Sequence, residues 1–230
     1  MKRGPDAGGP SPEHPPEGSP RDDTPQVPTM PDPWEMASAH DFAGLIVLAD
    51  SPDEEQRRGA CFVLGYLAEQ GGFDLESMRL VFVILGHRRP EVRATAAYVI
   101  GECSLHGLLD ANVLPALGAL AADGDADVRR KALSAMTWLA TKGLRDKSTI
   151  PRFDRALGDT DPEVRMTAAA SIAMVARAGV AEESSLAPLQ LAATDGAEVG
   201  LSGLGAATWR TTVGKMATIA LGEVRKRLEK

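Results

Sequence analysis

Aromatic side chains are scarce in this chain. Three tryptophans, two tyrosines and five phenylalanines amount to 4% of 230 residues. So few rings, with no stretch of alternating apolar and polar residues, argue against a sheet-built core and for helices packed on small side chains. Cysteine is rarer still: Cys61 and Cys103 follow no spacing pattern, which excludes a disulfide framework and fits a reducing, cytoplasmic setting. The four histidines, His14, His40, His87 and His106, are never followed by glutamate and never spaced four apart. No metal site is therefore expected, and no cofactor. Neither a serine elbow nor an activated thiolate can be read, so no catalytic residue is assigned. The longest apolar run, around Leu80–Leu85, is far too short to span a bilayer, and no signal peptide is expected. A basic excess is missing too. Net charge is −7, and residues 1–35 supply −4 of it, leaving a nearly balanced remainder that disfavours nucleic acid as a partner.

Proline, in contrast, is concentrated. Ten of the sixteen prolines fall in residues 1–33, beside four glycines and hardly any large apolar side chain. That composition predicts a disordered tail, because there is too little apolar surface to offset the entropy of ordering it.

Beyond Trp34 one short phrase returns at a fixed interval. Arg57, Arg93, Arg129 and Arg165 are each 36 residues apart, as are Ala60, Ala96, Ala132 and Ala168, and Gly71, Gly107, Gly143 and Gly179. Glu198, Gly203 and Gly214 continue the Glu55, Glu91, Asp127 and Glu163 column and the alanine and glycine columns one residue early. A constant period of this size predicts stacked copies of one helical hairpin, each burying its apolar face against its neighbours. Pro115 and Pro151 suit the first turn of first helices; Asp125 and Asp161 suit the N-caps of second helices, and the column glycines their ends. The units run at about 38–71, 74–107, 110–143, 146–179 and 182–214, with a closing helix over 215–230.

Pro90-Glu-Val-Arg with Ala96-Ala97, Asp125-x-Asp-Val-Arg with Ala132-Leu133, and Asp161-Pro-Glu-Val-Arg with Ala168-Ala169 resemble HEAT repeats, in particular the short PBS-lyase HEAT-like variety. The resemblance covers about 180 residues and implies an all-α, right-handed α-solenoid. It also implies a structural ladder of turn aspartates and second-helix arginines, namely Asp53 with Arg57, Arg93 without its aspartate, Asp125 with Arg129, and Asp161 with Arg165. For function it implies a scaffold or adaptor, an enzyme subunit or chaperone of the bilin-lyase kind, or a DNA-binding protein.

Two features stand outside that frame. Arg89 replaces the turn aspartate of the second unit, so His87, Arg88 and Arg89 form a candidate anion site, unless neighbouring acidic turns absorb them. On the second helices, Tyr66, Glu102, Trp138, Met174 and Trp209 share one repeat column, Phe62 and Tyr98 the column a turn earlier, and Arg58, Arg130 and Met166 a bordering one. With the outermost column small (Gly65, Gly101, Thr137, Ala173, Thr208), these residues are read as a concave groove for a protein segment; packing between repeats is the alternative reading. Protein is thus the expected partner, with neither membrane nor nucleic acid.

Overall fold

A turn aspartate or proline, sixteen residues of helix, then glycine: this order gives four second helices of equal length, Glu54–Glu69, Pro90–Leu105, Ala126–Thr141 and Pro162–Arg177. The computed structural model describes residues 32–202 and 208–230, without the side chains of 201–209. Residues 1–31 of the expected tail lie outside the described residues. Asp32 and Pro33, counted with that tail, instead cap and open a helix.

In chain order the elements are α1 (Pro33–Ser38), α2 (Phe42–Leu48), α3 (Glu54–Glu69), α4 (Leu75–Leu80, continuing as a 3-10 helix over Val81–Gly86), α5 (Pro90–Leu105), α6 (Leu114–Leu120) and α7 (Ala126–Thr141). Then follow α8 (Thr149–Ala156), α9 (Pro162–Arg177), α10 (Leu186–Ala192), β1 (Glu198–Ser202), β2 (Thr208–Thr212) and α11 (Val213–Leu228). Each short first helix pairs with the long second helix after it, and the second helices α3, α5, α7, α9 and α11 stack in sequence. This is the α-solenoid the period implies.

The ends of the second helices are chemically explicit. Asp53, Asp125 and Asp161 accept hydrogen bonds from backbone N–H groups of the first turn, at 2.8–3.1 Å. At the far ends Gly71, Gly107, Gly143 and Gly179 take positive φ, between 70° and 95°, which an L side chain would resist. The amide after each glycine donates back to a carbonyl five residues earlier, as Leu144 does to Leu139 at 2.9 Å. Between these ends, Ala60, Ala96, Ala132 and Ala168 are fully buried, and Leu64, Ile100, Met136 and Ile172 form a second buried column. Each of those larger side chains contributes about 1.5–3 kcal/mol by burial.

The ladder exists, but with different acids. The turn aspartates are occupied as caps, so the arginines reach into the next unit, 30 residues onward. Arg93 grips Asp123 through two nitrogens at 2.8 and 2.7 Å, Arg129 grips Asp159 at 2.7 Å twice, and Arg165 meets Asp195 at 2.6 Å. Each also donates to the carbonyls of its own turn, Arg129 to Asp123 and Gly124. In the first junction His87 stands where the aspartate should be, and Arg57 turns to Glu91 at 3.1 Å instead.

The fifth unit departs from the expected boundaries. Second helices begin at 54, 90, 126 and 162, so the next is due at 198, but α11 begins at Val213, 15 residues late. The intervening chain is an antiparallel hairpin, paired from Glu198 with Thr212 to Ser202 with Thr208. The stretch expected as a closing helix is therefore the fifth second helix, sixteen residues long and packed on α9 and α10. Gly214, read as a helix terminator, lies in the first turn of α11. A Cβ there would sit 2.6 Å from the Ala193 carbonyl oxygen, and its N–H donates to Asp195 at 2.8 Å. Close backbone approach, rather than a turn, requires this glycine.

A groove across the second helices

The faces of α3, α5 and α7 turned away from the first helices enclose a cleft of about 340 Å3, lined by Cys61, Phe62, Tyr66, Glu69, Tyr98 and Lys131 among others. A smaller one of about 160 Å3 continues it between α5 and α7, lined by Tyr98, Glu102, Arg130, Lys131 and Trp138. Six of the expected partner-binding residues thus lie together, with Phe62 and Tyr66 open to solvent at 66% and 42% exposure. Tyr98, Glu102, Arg130 and Trp138 are half-buried.

The rings are seated on glycines. Gly65 of α3 lies beneath Tyr98 of α5, where an added Cβ would touch the ring at 3.4 Å. Gly101 of α5 lies against α7, where a Cβ would come within 3.2 Å of the Ala135 Cα and 3.6 Å of Trp138. The small column therefore does not form an outer edge as expected. Gly65, Gly101, Thr137 and Ala173 are buried where adjacent second helices meet, and the close approach brings each ring onto its neighbour.

Trp34, in the short α1, escaped the repeat reading because it precedes the first unit. Its ring meets Tyr66 edge-on at 5.2 Å between centroids and Phe62 at 6.2 Å, so it joins the groove at the N-terminal end. At the other end the hairpin covers part of α9. Met166 is only 4% exposed and packs against Val199 and Val213, which removes it from the free groove surface. Trp209 belongs to β2, opposite Leu201, and not to a helix; its side chain lies outside the described residues. Met174 is half-buried on α9, and Arg58 is exposed, paired with Glu54 at 3.4 Å.

The electrostatics of the cleft are uneven. Tyr98 donates its hydroxyl to Glu69, and burial followed by that bond raises its pKa well above the ordinary tyrosine value. Burial, then repulsion from Glu69, pushes the Glu102 carboxyl up. The Lys131 ammonium sits over the Tyr98 ring, 4.0 Å from its centroid, and burial, then Arg130, pushes its pKa down. Burial likewise raises the Cys61 thiol, so it is no ready thiolate.

Outside the groove, the basic triplet of the second unit finds a protein partner. His87 Nε2 lies 2.8 Å from Asp50 Oδ1 and Arg88 lies 3.6 Å from the same oxygen, while the Arg89 N–H donates to His87 Nδ1 at 3.1 Å. The acidic turn next door thus meets two of the three. Among the described residues, no three His, Cys, Asp or Glu gather as metal ligands would, and no helix is long and apolar enough to cross a membrane.

A family model described as HEAT repeats matches residues 42–137 and again 114–200. The chain belongs to the HEAT-repeat family. No curated protein matches it significantly. Among solved structures, this HEAT array is similar to an engineered protein at 20% identity, over 85% of this chain and 83% of that one, with a TM-score of 0.60. It is similar to a designed armadillo repeat protein in complex with peptide (KR)4 at 19% identity, over 84% and 85% of the two chains, with a TM-score of 0.57. Computationally designed armadillo repeat proteins for modular peptide recognition match at 20% identity, over 83% and 85%, with a TM-score of 0.56. At these identities the likeness carries the HEAT fold alone.

Proposed function

We propose that the chain is a non-catalytic, cytoplasmic scaffold that binds a segment of a partner protein along the second-helix groove. The observation that carries this reading is the run of rings lining two clefts that share Tyr98 and Lys131, with Phe62 and Tyr66 open to solvent and Tyr98 and Trp138 half-buried. Large rings with polar tips, bordered by arginine, are what protein interfaces concentrate. The two designed armadillo proteins are named as peptide binders, which is the use a stacked-helix groove invites. Two unbridged thiols, Cys61 and Cys103, suit a reducing compartment.

Affinity capture from native extract, read by mass spectrometry, tests the scaffold reading. Tyr66→Ala and Trp138→Ala are expected to lower recovery of the same partner at least ten-fold while helicity by circular dichroism stays at the wild-type level. Unchanged recovery with both variants folded would sink it.

A further inference from the structure

The acids bordering the groove are not equally satisfied. Glu91 is held by Arg57, Asp127 by Arg130, and Glu163 lies 3.6 Å from Arg130. Glu69, exposed, and Glu102, half-buried, form no ion pair among the described residues. The Glu69 carboxylate takes the Tyr98 hydroxyl, while its carbonyl lies 3.1 Å from His106 Nε2, and Lys131, the ammonium reaching this region from α7, lies over the ring instead of on a carboxylate. Burial first, then Glu69, pushes the Glu102 carboxyl up, against a smaller opposing pull from Lys131 and His106. Two carboxylates flanked by Tyr66, Tyr98 and Trp138 offer a cation both counter-charge and ring faces. Lys131 over Tyr98 shows that one of these rings already accepts an ammonium.

The groove also has ends. Trp34 rests on Phe62 and Tyr66 at α3, and the hairpin covers Met166 on α9. Three helix spacings of roughly 10 Å separate α3 from α9. An extended chain at about 3.3 Å per residue fills that distance with about nine residues.

We infer that the groove receives an extended partner segment of about nine residues whose middle carries a lysine or arginine, seated among Tyr66, Tyr98 and Trp138 against Glu69 and Glu102. This rests on the scaffold reading and names the chemistry of the partner. The chain's own residues 1–31 are a poorer match in charge, with Lys2, Arg3 and Arg21 against Asp6, Glu13, Glu17, Asp22 and Asp23.

The test presents the immobilised full chain with nonapeptide mixtures, random except for arginine, lysine, leucine or glutamate at position five. Arginine and lysine mixtures are expected to be retained at least ten-fold better than the other two. The double variant Glu69→Gln, Glu102→Gln is expected to reduce that preference below two-fold while keeping the wild-type melting temperature. Tyr66→Ala and Trp138→Ala are expected to weaken all four mixtures, and the arginine and lysine mixtures most. If leucine or glutamate is retained as well as arginine, in a Trp138-dependent way, the charge inference falls and the scaffold reading stands. If no mixture is retained, or retention ignores both aromatic variants, both fall. Retention that appears only after removal of residues 1–31, or a dimer dissolved by Trp138→Ala that excludes every mixture, assigns the groove to this chain itself and overturns the inference.

Discussion

Gly65 and Gly101 occupy the same repeat position, yet the structure separates their roles. At Gly101 the atom an added methyl would meet is the Ala135 Cα, 3.2 Å away and fixed in α7. At Gly65 it is the edge of the Tyr98 ring, at 3.4 Å, an ordinary contact with a side chain that can yield. Alanine gains about 1 kcal/mol over glycine inside a helix, whereas overpacking a closed contact costs about 1–3 kcal/mol. Gly101→Ala is therefore expected to lose roughly 1 kcal/mol in urea denaturation, and Gly65→Ala to hold or gain stability. Equal effects at both positions would contradict this account. The sequence showed that the column is small but misplaced it on the outside. A helical wheel gives the phase of one helix and says nothing of the neighbour covering it. The repeat columns put Tyr66, Tyr98 and Trp138 at matching places on the second helices, but could not show that Tyr98 and Trp138 pack over glycines of the adjacent helix.

The ladder belongs to the scale of the element. A four-residue interval between Asp125 and Arg129 looks like a local pair, but the aspartate is engaged by its own helix's N–H groups and the arginine crosses to Asp159. The true partners, Asp123, Asp159 and Asp195, also repeat every 36 residues; that column was the available signal. Burial raises Asp159, but the Arg129 hydrogen bond and the Asp161 N–H outweigh it, so its folded-state pKa lies below the ordinary carboxylate value. Asp123 behaves alike, and Asp195 is lowered chiefly by Arg165. A lowered folded pKa contributes stability that is complete above the unfolded value, about 3.9, and is lost as pH falls through the folded one. Asp159→Asn is thus expected to cost about 2 kcal/mol at neutral pH. The gap to wild type should close as acid protonates Asp159; urea midpoints compared across that range check this. The hairpin was unreadable for a different reason. Three columns continued almost in phase through Glu198, Gly203 and Gly214, so a helix was expected where β1 and β2 pair instead.

Across the whole array, stability is a chain of nearest-neighbour junctions, and the junctions differ. Arg93 and Arg129 each hold the next unit through two nitrogens on a shielded carboxylate. Arg57 holds its neighbour through one contact to Glu91, whose side chain is 47% exposed, because His87 has taken the aspartate's place and turned to Asp50. The N-terminal unit should open before the middle ones. Native-state hydrogen exchange is expected to show the amides of α3 exchanging at lower opening free energy than those of α7. Matching protection in both helices would mean that the rungs do not set the order of opening.

The hairpin leaves at Ala197 and returns at Val213, whose N–H donates to the Ala197 carbonyl at 3.0 Å. With exit and re-entry one hydrogen bond apart, the array registers no gap, and α11 docks as though nothing had been spliced in. That junction is a ready-made socket, where a foreign loop with closely spaced ends would project beside α9 without moving a helix.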